Sequence, residues 1–195
     1  MSIVTIRNVE FINNPAKFSD VYRFRVTFDC IASLKDDLEW KLIYVSSPGN
    51  EELDQELDDC LVGPVPSGVN SFEFEGSPPD PSKIPAEDVL GVAALILTGS
   101  YKDQEFVRVG YYQNTEYDNE EMKETPPANI MFHRLVRDIS AKPRVTRFQI
   151  KWCVWCYSIE DATYGRYVQG RRTAVTGADG RRSDVGLCAV CERPG

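Results

Sequence analysis

The sequence has one histidine, His133, and that scarcity removes most acid–base and nucleophilic chemistry from consideration. A Cys–His or Ser–His–carboxylate site would depend on His133 alone, beside Phe132 in an apolar-periodic stretch. No glycine-rich loop carries the lysine of a phosphate-cradling P-loop; Gly63–Gly68 holds prolines instead. The longest mostly apolar run, 89–101, is shorter than the roughly 18 residues needed to span a bilayer. Near Met1 the apolar residues Ile3, Val4 and Ile6 are soon interrupted by Arg7 and Glu10, unlike a secretory h-region. The expected compartment is the cytosol or nucleus, where the six cysteines stay as thiols or bind metal.

What is present is ordinary globular composition with an acidic bias. The 195 residues are 42% hydrophobic and 27% charged, with a net charge of −8. This charge opposes phosphate-backbone binding and favours a basic partner. Residues 153–195 hold six arginines against five acids, so the acidic excess belongs to residues 1–152. The division expected is a domain over 1–152 and an unstructured extension over 153–195.

The dominant hydrophobic period is two. Tyr22, Phe24, Val26, Phe28 and Cys30 alternate with Arg23, Arg25, Thr27 and Asp29, as in a half-buried strand. Further strands are predicted over 2–11, 39–46, 57–62, 71–75, 104–113 and 145–152, and a strand covered on both faces over 89–98. Turn clusters at 13–15, 47–50, 63–68 and 76–81 separate them. The sum is an all-β, immunoglobulin-like antiparallel sandwich. One docked helix is predicted where Phe132, Leu135, Val136 and Ile139 follow helical spacing, and a short turn at 85–88. Strand parity places Val107, Val109 and Tyr111 inward and Phe106, Arg108, Gly110 and Tyr112 outward, with Val92, Ala94 and Ile96 sharing one face of the neighbouring strand. An exposed Arg near an exposed Tyr is the composition of a binding hot spot, although a covering loop or helix satisfies the same parity.

Two other groups invite chemistry. Cys153, Cys156, Cys188 and Cys191 form two CxxC pairs able to hold zinc, but the 31-residue gap exceeds ribbon spacing. A zinc-binding adaptor built on them is the alternative function; a CxxC redox site would need a βαβ context that is lacking. The acidic segment 51–59, and Asp36, Asp37 and Glu39, are solvated faces or recognition surfaces for a basic protein.

Asp37-Leu38-Glu39-Trp40-Lys41, Leu61-Val62-Gly63-Pro64-Val65-Pro66, the run 104–112, Asn114-Thr115-Glu116-Tyr117 and Pro143-Arg144-Val145-Thr146-Arg147-Phe148 resemble the anti-silencing-function family of histone chaperones over residues 1–152. The resemblance implies a nuclear, monomeric, non-enzymatic chaperone without cofactors, binding one dimer of core histones three and four without ATP, and neither nucleic acid nor membrane. It places the histone surface on Val45, Asp54, Asp88, Val92, Ala94, Arg108, Tyr112, Arg144 and Val145, with a strand of the second histone beside 144–148. Relatives commonly carry valine where Ala94 stands. A second surface, on Asp36, Asp37, Leu61, Val62 and Phe72, is implied to take short basic peptides from the histone-regulator complex and chromatin assembly factor. Asp36 stands where many relatives carry glutamate. Residues 153–195 depart from the acidic extension of relatives, as an alternative carboxyl terminus would.

Overall fold

The computed structural model describes residues 2–47, 49–140 and 142–152. The extension over 153–195 and the four-cysteine alternative at Cys153, Cys156, Cys188 and Cys191 lie outside the described residues. The strands are β1 (Val4–Phe11), β2 (Ala16–Lys17), β3 (Tyr22–Cys30), β4 (Leu38–Val45), β5 (Gln55–Val62), β6 (Gly68–Gly76), β7 (Gly91–Tyr101), β8 (Gln104–Tyr117), β9 (Leu135–Ile139) and β10 (Arg144–Arg147). One sheet runs β1-β3-β6; the other runs β2-β9-β8-β7-β4-β5, with β10 also paired to β8. All described ladders are antiparallel, giving the immunoglobulin-like sandwich expected of the period-two pattern.

The strands form because their alternate side chains have one another to pack against. Phe28 and Phe72 from the smaller sheet meet Trp40 from the larger at centroid separations of 6.0 and 5.3 Å, and Phe106 closes on Trp40 at 5.8 Å. Near the other end of β3, Phe24 meets Phe74 edge-on at 5.1 Å, and Phe11 meets Tyr111 at 4.8 Å. Along β4 the burial alternates without a break: Leu38, Trp40, Leu42 and Tyr44 are inside, while Glu39, Lys41, Ile43 and Val45 face outward.

Four expectations are corrected. The helix predicted through Phe132 and Ile139 is instead a 3-10 turn, Phe132–Arg134, followed by β9; the one α-helix described is Glu120–Glu124. In β9 the buried alternation is Leu135, Arg137, Ile139, and the arginine hides the pattern. Arg137 lies over the Tyr22 ring at 3.6 Å and donates to the carbonyls of Asp20 at 2.6 Å and Val21 at 2.8 Å, tying down the chain before β3.

Phe106 is buried rather than outward. The β7–β8 register steps from Gly99–Val107 to Ser100–Glu105, so Phe106 is the extra residue of a bulge and turns inward beside Trp40. The strand over 89–98 is covered on one face only: Ala93, Leu95 and Leu97 are inside, whereas Val92 is 64% exposed. The last strand ends at Arg147, and Trp152 instead packs on Tyr101 and Phe106 at 5.3 and 5.2 Å. The turn at 85–88 closes with the Asp88 N–H on the Pro85 carbonyl at 2.9 Å.

Gly99 makes the bulge possible. A Cβ there would stand 2.9 Å from Phe106, Trp40 and Val107 side-chain atoms together. Gly99→Ala is expected to destabilise the domain by about 1–3 kcal/mol in urea unfolding, the usual cost of overpacking. An unchanged midpoint would show that this junction has slack.

Candidate functional site

The outer face of the larger sheet is built by register. Val45 pairs with Ala94 and Ala94 with Tyr112, forming one row across β4, β7 and β8. The next row is Ile43, Ile96, Gly110 and Arg144, and the next is Lys41, Thr98, Arg108 and Thr146, each reaching β10. Residues of β7, β8 and β10 border a groove of about 230 Å³ lined by Ala94, Ile96, Arg108, Gly110, Tyr111, Tyr112, Arg144 and Thr146. Val92 and Tyr112, at 64% and 61% exposure, give it apolar flanks. Gly110 keeps the floor low: a Cβ there would meet only the Arg144 carbonyl oxygen, at 3.9 Å.

Charge is divided between the groove's ends. At one end Arg108 is fixed by two 2.8 Å hydrogen bonds to Glu105, which hold its guanidinium more firmly protonated, and it lies 5.9 Å from the Phe148 ring centroid. At the other end, Asp54 follows the 3-10 turn Glu51–Leu53 and precedes Gln55, the register partner of Tyr44. Burial, helped by Glu51, pushes the Asp54 carboxyl above its ordinary range, and its sheltered Oδ1 has no hydrogen-bond partner among the described residues. Asp88 stands three residues before Gly91, where β7 begins, at the same end of the sheet. An incoming cation with several donors suits such a corner.

The structure thus brings Val45, Ala94, Val92, Tyr112, Arg108 and Arg144 onto one face, with Asp54 and Asp88 at its end. Val145 is different. It pairs with buried Val109, so its side chain turns away from Arg144 and Thr146, leaving its backbone edge for a partner. The residues that single-strand parity did not assign to the site are Ile43 and Thr146, because their place depends on cross-strand register. Ile96 and Gly110 carried the right parity and lacked only that register.

The second predicted surface divides differently. Val62 and Phe72 are 2% and 4% exposed, and Phe72 packs on Phe28 and Trp40, so neither side chain is an exposed contact. Leu61 is half-buried on the outward side, opposite Glu39. The Asp36 carboxylate accepts from Tyr101 at 3.1 Å and pairs with Lys102 at 2.8 Å, which lowers its pKa. Asp37 makes no hydrogen bond or ion pair among the described residues, and burial with the neighbouring Asp36 charge raises its pKa. Gly63 is required beside it, because a Cβ there would collide with the Asp37 carboxylate.

A folded-state pKa above the ordinary value means that ionised Asp37 opposes folding. Its penalty grows as pH rises from the ordinary aspartate range through the folded value, and persists at neutral pH. Asp37→Asn is therefore expected to raise the urea midpoint at pH 7, with the gain vanishing as pH falls below the ordinary aspartate range. A lower midpoint at pH 7 would contradict this assignment.

Comparison with known proteins gives the family. The family model for ASF1-like histone chaperones matches residues 1–153. Histone chaperone ASF1 of Mycosarcoma maydis is 58% identical over 153 residues, covering 78% of this chain and 88% of the relative. The Candida albicans and Saccharomyces cerevisiae proteins of the same name are 56% and 55% identical over the same 78% of this chain, which spans only 62% and 55% of their lengths. The chain belongs to the ASF1-like histone chaperone family.

Proposed function

We propose that this chain is a nuclear, monomeric chaperone that binds one dimer of core histones three and four on the outer face of its larger sheet. The observation that carries this reading is the apolar groove around Ala94 and Tyr112, lined on one side by Arg108 and Arg144, with Asp54 before β5 and Asp88 before β7 at the sheet end beyond Val45 and Ala94. A helix laid across it buries apolar side chains over Val45, Val92, Ala94 and Tyr112. Its cationic groups meet Asp54 and Asp88 while its carboxylates meet Arg108, so the contact has an apolar centre and a polar rim. Occupying the face that histones use for tetramer formation keeps the dimer apart until transfer.

Holding and transfer need only differences in affinity, so the proposed cycle proceeds without ATP. The side of β10 that has no ladder partner among the described residues supplies main-chain groups for a strand from the end of the second histone. Ala94 buries less area than the valine common in relatives, and the open floor at Gly110 leaves room for a larger side chain of the guest.

The second surface hands the complex onward. Asp37 is placed to receive an arginine of a short basic peptide from the histone-regulator complex or chromatin assembly factor, with Leu61 beside it and the backbone of β5 as an edge. Val62 and Phe72 support that surface from within rather than touching the guest.

Arg108→Glu and Tyr112→Ala are each expected to weaken binding of the histone dimer at least tenfold, about 1.4 kcal/mol, in calorimetry. Gly110→Val, which the fold accommodates, should do likewise by filling the groove. Asp37→Ala should spare histone affinity and weaken the adaptor peptide. Unchanged histone affinity in the groove variants would remove the proposed face, and loss of both ligands by Asp37→Ala would show that the two surfaces are one.

A further inference from the structure

Among the described residues, β5 ends the larger sheet with no ladder partner on its outer side. An exposed strand edge offers unpaired N–H and C=O groups to another strand. This edge is also acidic: Glu56, Asp58 and Asp59 lie along it, and Glu39 and Glu56 crowd Lys41 at 3.3 and 4.0 Å. Burial and the adjoining Asp59 and Glu56 charges raise the Asp58 pKa, so a neighbouring cation would relieve a real electrostatic conflict.

The described residues end at Trp152, near one end of that edge. Trp152 stacks on Tyr101 at 5.3 Å. Tyr101 pairs with Leu38, which pairs with Val62, so the end of β5 is two strand spacings away, about 10 Å. The eleven residues 166–176 contain Arg166, Arg171 and Arg172, no acid, and the strand-favouring Tyr167, Val168, Thr173, Val175 and Thr176. The 13 residues that separate them from Trp152 reach up to about 43–47 Å when extended, more than the roughly 27 Å length of β5.

We propose that the unpaired edge of β5 is a strand-docking site occupied in cis by residues 166–176 of this same chain, whose arginines face the acidic edge. The proposal rests on reading this end of the sheet as a surface for basic peptides, and adds that the protein carries its own competitor. A tethered segment acts at an effective concentration near millimolar, enough to hold off a partner peptide of modest affinity. Adaptor binding is then a displacement, and the own segment sets its threshold.

The test uses the full chain and a fluorescent synthetic peptide of residues 166–176. The peptide should bind Arg171→Glu/Arg172→Glu protein at least tenfold more tightly than wild type, and lose that binding when Asp58→Lys/Asp59→Lys is added. Hydrogen exchange needs no substitution in β5: amides over 56–62 should exchange faster in Arg171→Glu/Arg172→Glu than in wild type. Equal peptide affinity for wild type and the arginine variant, with equal exchange, overturns cis occupancy while leaving the edge as a basic-peptide site. No peptide binding to either protein overturns both readings, and binding that survives Asp58→Lys/Asp59→Lys removes β5 as the location.

Discussion

The register of β4, β7 and β8 is the constraint on which the candidate function depends. Because side chains alternate along each strand, a slip of one residue would send Ala94 and Tyr112 inward and expose Leu95 and Tyr111. The register is held by burial on the other face, where Trp40, Phe28, Phe72 and Phe106 interlock across the two sheets. Core and groove are therefore two sides of one pairing pattern. The Gly99–Phe106 bulge lets β8 supply two consecutive buried residues, Phe106 and Val107, before it resumes the alternation that presents Arg108 and Tyr112.

Electrostatics then gives the faces different tasks. Glu105 orients the Arg108 guanidinium through Nε and Nη2, leaving Nη1 for an incoming carboxylate. Asp54 and Asp37 are the reverse: each is partly sheltered, pushed toward its neutral form and short of partners among the described residues. On the proposed reading, stability given up at such positions is regained when a cationic guest supplies the missing donors. Asp36, already engaged by Lys102 and Tyr101, has less to gain from a guest. On the proposed reading, the acidic excess of residues 1–152 steers basic proteins toward the domain, and the groove's shape and divided charge select among them.

Much of this was legible in the sequence, for physical reasons that also mark where legibility stopped. Period-two burial identified β3 and β4 because each has one wet face and one dry face. It failed at β9, where Arg137 occupies a core position and satisfies its charge on backbone carbonyls and the Tyr22 ring, so that Phe132, Leu135, Val136 and Ile139 took on a helical spacing. It failed again at Phe106, since a bulge shifts parity without leaving a mark in composition. Resemblance to the family supplied Asp54, Asp88, Val92 and Arg144 as a set, which no single-strand pattern could join. The structure adds Ile43, Ile96, Gly110 and Thr146 through register, and moves Val62 and Phe72 into the core.

The central claim is that a shaped groove, rather than diffuse negative charge, holds the histone dimer. Light scattering of the full chain mixed with the dimer of histones three and four, during elution at physiological salt and again at higher ionic strength, tests it most directly. A single species containing one chain and one dimer at both salt concentrations is the predicted result. A broad distribution with no fixed ratio, dispersing as salt is raised, would reduce the interaction to nonspecific charge attraction and contradict the account.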